Sequence, residues 1–249
     1  MRTYKLTIAY DGSRYQGWQR QPDTELTIQG ILEKAVSQVW GYAVEVNGSG
    51  RTDSGVHAKG QTASIVLSGK TQETVFLGKL NGLLPPDIKV TKMELVKNGF
   101  HARFSAKGKR YVYAVNTGER PDVFQRKYCF HYPQELDISA MRQAAEYLIG
   151  THDFAGFTDR NNEITTIRTI YDIKIVRQGD MVTFAYDGNG FMYHMVRILT
   201  GTLLETGSKE CTPQDVKILL QVNKRERAGF LAPACGLFLD KVYYEDLLG

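Results

Sequence analysis

The chain has 249 residues and a net charge of +4 at neutral pH, with an isoelectric point near 8.8. That length allows one large domain or two small ones, and the charge sits just under the basic range of about pI 9 that marks nucleic-acid-binding domains. Cys129, Cys211 and Cys235 are odd in number and too far apart for a disulfide framework or a zinc knuckle, which fits a reducing compartment. The N-terminus, MRTYKLTIAYDG, lacks the unbroken apolar core of a signal peptide, and no stretch approaches the roughly 20 apolar residues of a membrane span. A cytoplasmic protein without membrane contact is expected.

Taken in chain order, residues 4–11 alternate as a strand, and Ile28, Ile31, Leu32, Ala35, Val36 and Val39 recur at helical spacing behind Thr27 as N-cap. Strands are expected at 43–48 and 61–67, a helix at 72–83 stopped by Pro85-Pro86, and a strand at 88–96. The pattern then restarts. Strands are expected at 109–116 and 125–131, a helix at 137–149, a hairpin of 167–177 and 181–187 across Gln178-Gly179, helices at 191–206 and 213–222, and a strand over 237–244. The fold class predicted is α/β in the α+β sense: two similar halves, each a mostly antiparallel sheet with helices on one face, with a cleft between them. The halves are placed at 1–106 and 107–249, joined at the basic run Lys107-Gly108-Lys109-Arg110.

Common catalytic motifs fail. Gly55 to Thr62 falls one residue short of a P-loop and has Gln61 where the phosphate-binding lysine belongs. Gly48 and Gly50 lack the third glycine of a dinucleotide fingerprint, and Thr52 and Val56 break the G-x-S-x-G elbow around Ser54. The histidines form no pair at i, i+3 or i, i+4, so no metal site is expected.

What remains is one acid, Asp53, in the glycine-bracketed stretch GSGRTDSGVHAKGQ (48–61), with Arg51 two residues before it and His57 four residues after. Alone, it has a plain explanation as a turn aspartate that caps backbone N–H groups and is neutralised by Arg51. Three other stretches bear on it. KGKRYVYAVN puts Tyr111 and Tyr113 on one strand face beside a basic cluster, either a cross-strand aromatic pair or a stacking platform for bases. GNGFMYHMVRILTG opens into a helix with His194 and Arg197 off its apolar stripe, and ACGLFLDKVYY reads as a core strand.

In this order, YDGSRYQGWQRQ (10–21), GSGRTDSGVHAKGQ (48–61), KRYVY (109–113), FMYHMVR (191–197) and GLFL (236–239) resemble the TruA family of tRNA pseudouridine synthases over nearly the whole chain. Ser54 stands where many members have alanine, a small-for-small departure. The resemblance implies that Asp53 is the catalytic aspartate and Arg197 its basic partner. It further implies that Tyr111 lies against the target base, that Arg51 helps extrude the nucleotide, and that Leu237 lines the pocket. His57 is placed with the substrate-binding residues. Also implied are a homodimer in which one tRNA contacts both subunits, and modification of uridines 38, 39 and 40 in the anticodon arm.

The chemistry agrees with the failed motifs. Conversion of uridine to pseudouridine breaks the bond from ribose C1′ to base N1 and joins C1′ to C5, moving only a proton, so no cofactor or metal is required. An ionised carboxylate can attack the sugar carbon or remove a ribose proton, and the sequence leaves both routes open. Desolvation disfavours that ionised form and a guanidinium offsets it. Base extrusion costs about a few kcal/mol, to be offset by binding through Arg14, Arg20, Lys107, Lys109, Arg110, Lys224, Arg225 and Arg227 with Tyr15, Trp18 and Phe104 interleaved. The alternative reading is a non-catalytic RNA-binding protein, which has no use for Asp53.

Overall fold

In the computed structural model, which describes residues 1–160 and 165–245, strand β1 (Arg2–Tyr10) sets the first layer of the fold. Its alternation turns Tyr4, Leu6 and Ile8 to the interior with no exposed surface. The strand is flanked antiparallel by β3 (His57–Leu67) and β4 (Ile88–Val96). Since β1 occupies one edge of β3, two segments share the other: β2 (Asn47–Gly48), antiparallel, and β10 (Leu237–Tyr243), parallel with Phe238 opposite His57. Helix α1 (Ile28–Trp40) starts where the Thr27 hydroxyl accepts the Gly30 amide and ends at Gly41 in the left-handed region, burying Ile28, Leu32, Ala35 and Val36. Helix α2 (Glu73–Leu83) buries Phe76 and Leu80.

The chain divides into two compact units: Met1–Lys107 together with the segment from Phe238 on, and Gly108–Leu237. From Phe238 on, the final strand, expected from sequence at the end of the second half, therefore belongs to the first unit. An apolar strand carries no local mark of its partner. Here the tie is made by the two β3 pairings and by the Lys107 amide, which donates to the Tyr243 carbonyl at 2.8 Å.

In the second unit, β5 (Gly108–Asn116), β9 (Met181–Gly188), β8 (Ile167–Gln178) and β7 (Gly150–Asp153) run in that spatial order, each antiparallel to the next. The short β6 (Phe130–His131) lies parallel to β5. Helices α3 (Ile138–Leu148) and α5 (Pro213–Val222) have their first turns capped by Asp137 and Thr212. Helix α4 (Met195–Gly207) is buried almost all round. Its threonines satisfy their hydroxyls internally: Thr200, Thr202 and Thr206 each donate to the carbonyl four residues back, at 2.8–2.9 Å.

Two predicted strands shrink for a visible reason. Residues 43–46 spend their backbone groups on α1 side chains: Val44 N donates to Ser37 Oγ, Val46 N to Glu33 Oε1, and Val46 O accepts from Gln29 Nε2. At 122–129 the Asp122 carboxylate accepts the amides of Phe124 and Gln125, and Cys129 N turns back to the Gln125 carbonyl, so only Phe130 and His131 are left to pair.

Candidate active site

Asp53 is half-buried at a tight turn that its own carbonyl closes by accepting the Val56 amide at 3.2 Å. The two sequence motifs of the first unit meet here. Residues 10–19 form a strap around the loop: the Tyr10 hydroxyl bonds Thr52 Oγ1 at 2.8 Å, Trp18 N donates to the Thr52 carbonyl at 3.0 Å, and the Tyr15 carbonyl accepts from Ser54 Oγ and Gly55 N. Burial pushes the Tyr10 phenol well above its ordinary range, so it is a neutral partner. The strap lies so close that a Cβ at Gly12 would stand 1.9 Å from the Val56 carbonyl oxygen, and one at Gly17, where φ is +86°, would stand 2.6 Å from that of Thr52. Only glycine fits at either place.

At the base of the loop Gln61, the residue that spoiled the P-loop pattern, donates to the Gly50 carbonyl and accepts from Ser49 Oγ and Thr62 N. Arg51 is exposed, with Nε donating to Gln19 Oε1 at 3.0 Å. His57 is 1% exposed. Its Nδ1 accepts the Gly12 amide at 3.0 Å, Asp11 Oδ1 stands 3.2 Å from the same nitrogen, and the ring stacks on Phe238 with centroids 4.7 Å apart. The histidine thus holds the strap to the loop from within the unit.

The second unit carries the other expected residues. Tyr111 on β5 faces Tyr186 across the ladder and is 8% exposed, with its ring edge-on to Phe191 at 5.3 Å and 85°. Tyr113, two residues along the same face, is core: its hydroxyl donates to the Pro233 carbonyl at 2.6 Å, and burial raises its phenol far above the ordinary range. Arg197 sits in the first turn of α4, with Nε donating to the Ala232 carbonyl at 2.7 Å while Ala232 N donates to the Arg197 carbonyl at 3.3 Å. Its charge reaches Cys235, whose thiol is raised by burial and drawn partly back by the Arg197 guanidinium. Leu237, at the start of β10, is 5% exposed.

Several residues expected to track RNA are otherwise committed. Trp18 and Tyr15 are buried, Arg14 pairs with Asp87, Arg20 with Glu33, and Arg110 forks onto Asp187 at 2.7–3.0 Å. Phe104 remains 80% exposed. Among the described residues no cluster of His, Cys, Asp or Glu is arranged to hold a metal ion, and no helix is long and apolar enough to cross a membrane.

A family model described as tRNA pseudouridine synthase matches residues 6–105 and 144–245. The chain is 45% identical to tRNA pseudouridine synthase A of Lacticaseibacillus casei over 98% of its own length and all of that protein's. It is 43% identical to the Bacillus licheniformis protein of the same name, over 97% and 99% of the two chains, and 40% identical to that of Acetivibrio thermocellus, over 98% and 100%. The chain belongs to the tRNA pseudouridine synthase family, whose members are isomerases.

Proposed function

We propose that the protein converts uridine to pseudouridine at positions 38, 39 and 40 of the tRNA anticodon arm, with Asp53 as the catalytic carboxylate. The observation that supports this most is the clamp on the Asp53 loop. A turn aspartate needs no such scaffold, whereas a carboxylate that must meet one ribose carbon gains from being held to a fraction of an ångström.

In this reading the target nucleotide swings out of the stack, with Arg51 assisting, at a cost of about a few kcal/mol that contacts elsewhere on the tRNA offset. Asp53 then either adds to C1′ as N1 departs or removes a ribose proton to give an unsaturated sugar. The base turns and C5 bonds to C1′ as the Asp53–C1′ bond breaks, or, by the second route, as the proton held by Asp53 returns to the ribose. N1 gains a proton, and the hydrogen on C5 is lost to water. Arg197 favours the ionised carboxylate by charge-assisted hydrogen bonding. Tyr111 covers the base by stacking, Leu237 lines its pocket, and His57 fixes the loop. The enzyme acts in the cytoplasm as a homodimer, one tRNA touching both subunits, with no cofactor or metal.

The test is release of tritium from unmodified tRNA labelled at uracil C5. Substrates that keep a single uridine at 38, 39 or 40 are expected to release their label, and a substrate with uridine only elsewhere in the anticodon arm is expected to keep it. Release from the last substrate alone would overturn the positional assignment, and no release from any would overturn the activity.

A further inference from the structure

We propose that Asp159 is a positioning residue for Arg197, binding together the two chain segments that hold the guanidinium. The first segment is the entry to α4. His194, its N-cap, has φ +62° with no side-chain capping bond, a left-handed conformation that a non-glycine residue keeps only where the surroundings impose it. The imposition comes from residues 158–160. His194 Nδ1 lies 2.6 Å from Asp159 Oδ2, and the Thr158 hydroxyl donates to the Tyr193 carbonyl at 3.0 Å. The Tyr193 ring stacks on the imidazole at 3.6 Å, with the Arg160 guanidinium over its face. The His194 carbonyl accepts the Ile198 amide at 3.0 Å, and one residue before Ile198 stands Arg197.

The second segment is the strap that ends at Ala232. Asp159 Oδ1 accepts from Arg225 Nε at 2.7 Å, and Arg225 Nη1 donates onward to the Gly229 carbonyl at 3.1 Å. From there the strap follows α4 back toward its start. Gly229 N donates to Thr202 Oγ1, Phe230 N to Glu205 Oε1, and Ala232 N to the Arg197 carbonyl. The Ala232 carbonyl then receives Arg197 Nε. One carboxylate, using both oxygens, sets where the arginine's helix begins and where its side-chain acceptor lies. Partial burial pushes the Asp159 carboxyl up, but the donors from His194 and Arg225 outweigh it and hold the group below the usual aspartate range.

This inference rests on the role proposed for Arg197, and the experiment separates the two. Tritium release under single-turnover conditions and tRNA affinity are measured for the full chain and for Asp159→Asn, Arg197→Lys, the double variant and Arg197→Met, with folding checked by circular dichroism. Asp159→Asn is expected to lower the rate between about 10- and 100-fold with affinity unchanged within about threefold. In the Arg197→Lys background, where the grip of Ala232 is already lost, the same change is expected to cost less than about threefold. Should Asp159→Asn fail to fold, Arg225→Gln, which cuts only the strap side, is read by its single-turnover rate alone, since Arg225 also stands among the residues expected to bind tRNA. The same loss in the wild-type background and the same small effect in the Arg197→Lys background are expected. A wild-type rate for the folded variant, or an equal loss in both backgrounds, overturns the inference while leaving the role of Arg197 intact. A wild-type rate for Arg197→Met removes Arg197 from the reaction and the inference with it.

Discussion

The Gly12 amide donates to Nδ1 of His57 across 3.0 Å, which makes that ring nitrogen an acceptor although Asp11 Oδ1 stands 3.2 Å from it. Nδ1 cannot carry a proton for Asp11 and at the same time offer a lone pair to Gly12, so the bond to Gly12 calls for the tautomer with its proton on Nε2. His57→Asn puts an amide oxygen where Nδ1 was and is expected to keep tRNA turnover within about fivefold of wild type. His57→Leu leaves a buried N–H unpaired, at a cost of about 1–3 kcal/mol, and is expected to lose at least tenfold in turnover. Equal activity of the two variants in the tritium assay would detach this hydrogen bond from the position of Asp53.

Gly12→Ala tests the same strap by sterics. The added carbon would meet backbone at 1.9 Å and not a flexible side-chain end, so strap and loop must part. A loss of stability of about 1–3 kcal/mol is expected, as for other overpacked sites, together with loss of turnover. An unchanged urea midpoint would show that the strap has room to move.

Asp159 supplies a pH dependence. Its folded-state carboxyl lies below the free value of 3.8, so its contribution to stability is present above that value and is lost as pH falls through the lower, folded one. The stability gap between wild type and Asp159→Asn is therefore expected to narrow as the solution is acidified below about pH 4. A gap that widens there, in denaturant titrations at stepped pH, would give the shift the opposite sign.

Asn223 closes α5 in the left-handed region at φ +53°, and its buried Oδ1 has no hydrogen-bond partner among the described residues. Glycine adopts that conformation without strain and removes the orphaned acceptor. Asn223→Gly is expected to raise the melting temperature by a few degrees, corresponding to about 0.5–1 kcal/mol. A lowered melting temperature would mean the side chain contributes packing that outweighs its unpaired oxygen.

Elements whose burial is periodic were legible in the sequence. The alternation of β1 and the β8–β9 hairpin across Gly179 appear close to where hydrophobic spacing puts them. What spacing could not reveal were competitions for backbone hydrogen bonds. Val44 and Val46 look like strand residues, yet Ser37, Glu33 and Gln29 of α1 take their amides and carbonyls. The helix expected from residue 191 begins at Met195 because His194 is held left-handed, a local conformation that hydrophobic spacing does not register. His57 lies outside the strand that spacing predicts from residue 61, whereas β3 begins with it and buries it. Asp159 carries no mark in the sequence, since its partners lie 35 and 66 residues away and form no motif.

In the mechanism proposed, the Asp53 carboxylate performs the chemistry and does more than shape its turn. Asp53→Asn keeps the size of the side chain and most of its capacity to bond turn amides, but the amide can neither add to C1′ nor accept a ribose proton. Tritium release from uracil C5 and tRNA affinity, measured on the same preparation, test this directly. The expected result is no detectable release, with affinity within about tenfold of wild type because phosphate and stacking contacts supply most of the binding. Release at a rate comparable to wild type would make Asp53 a turn residue and leave the chemistry to another group.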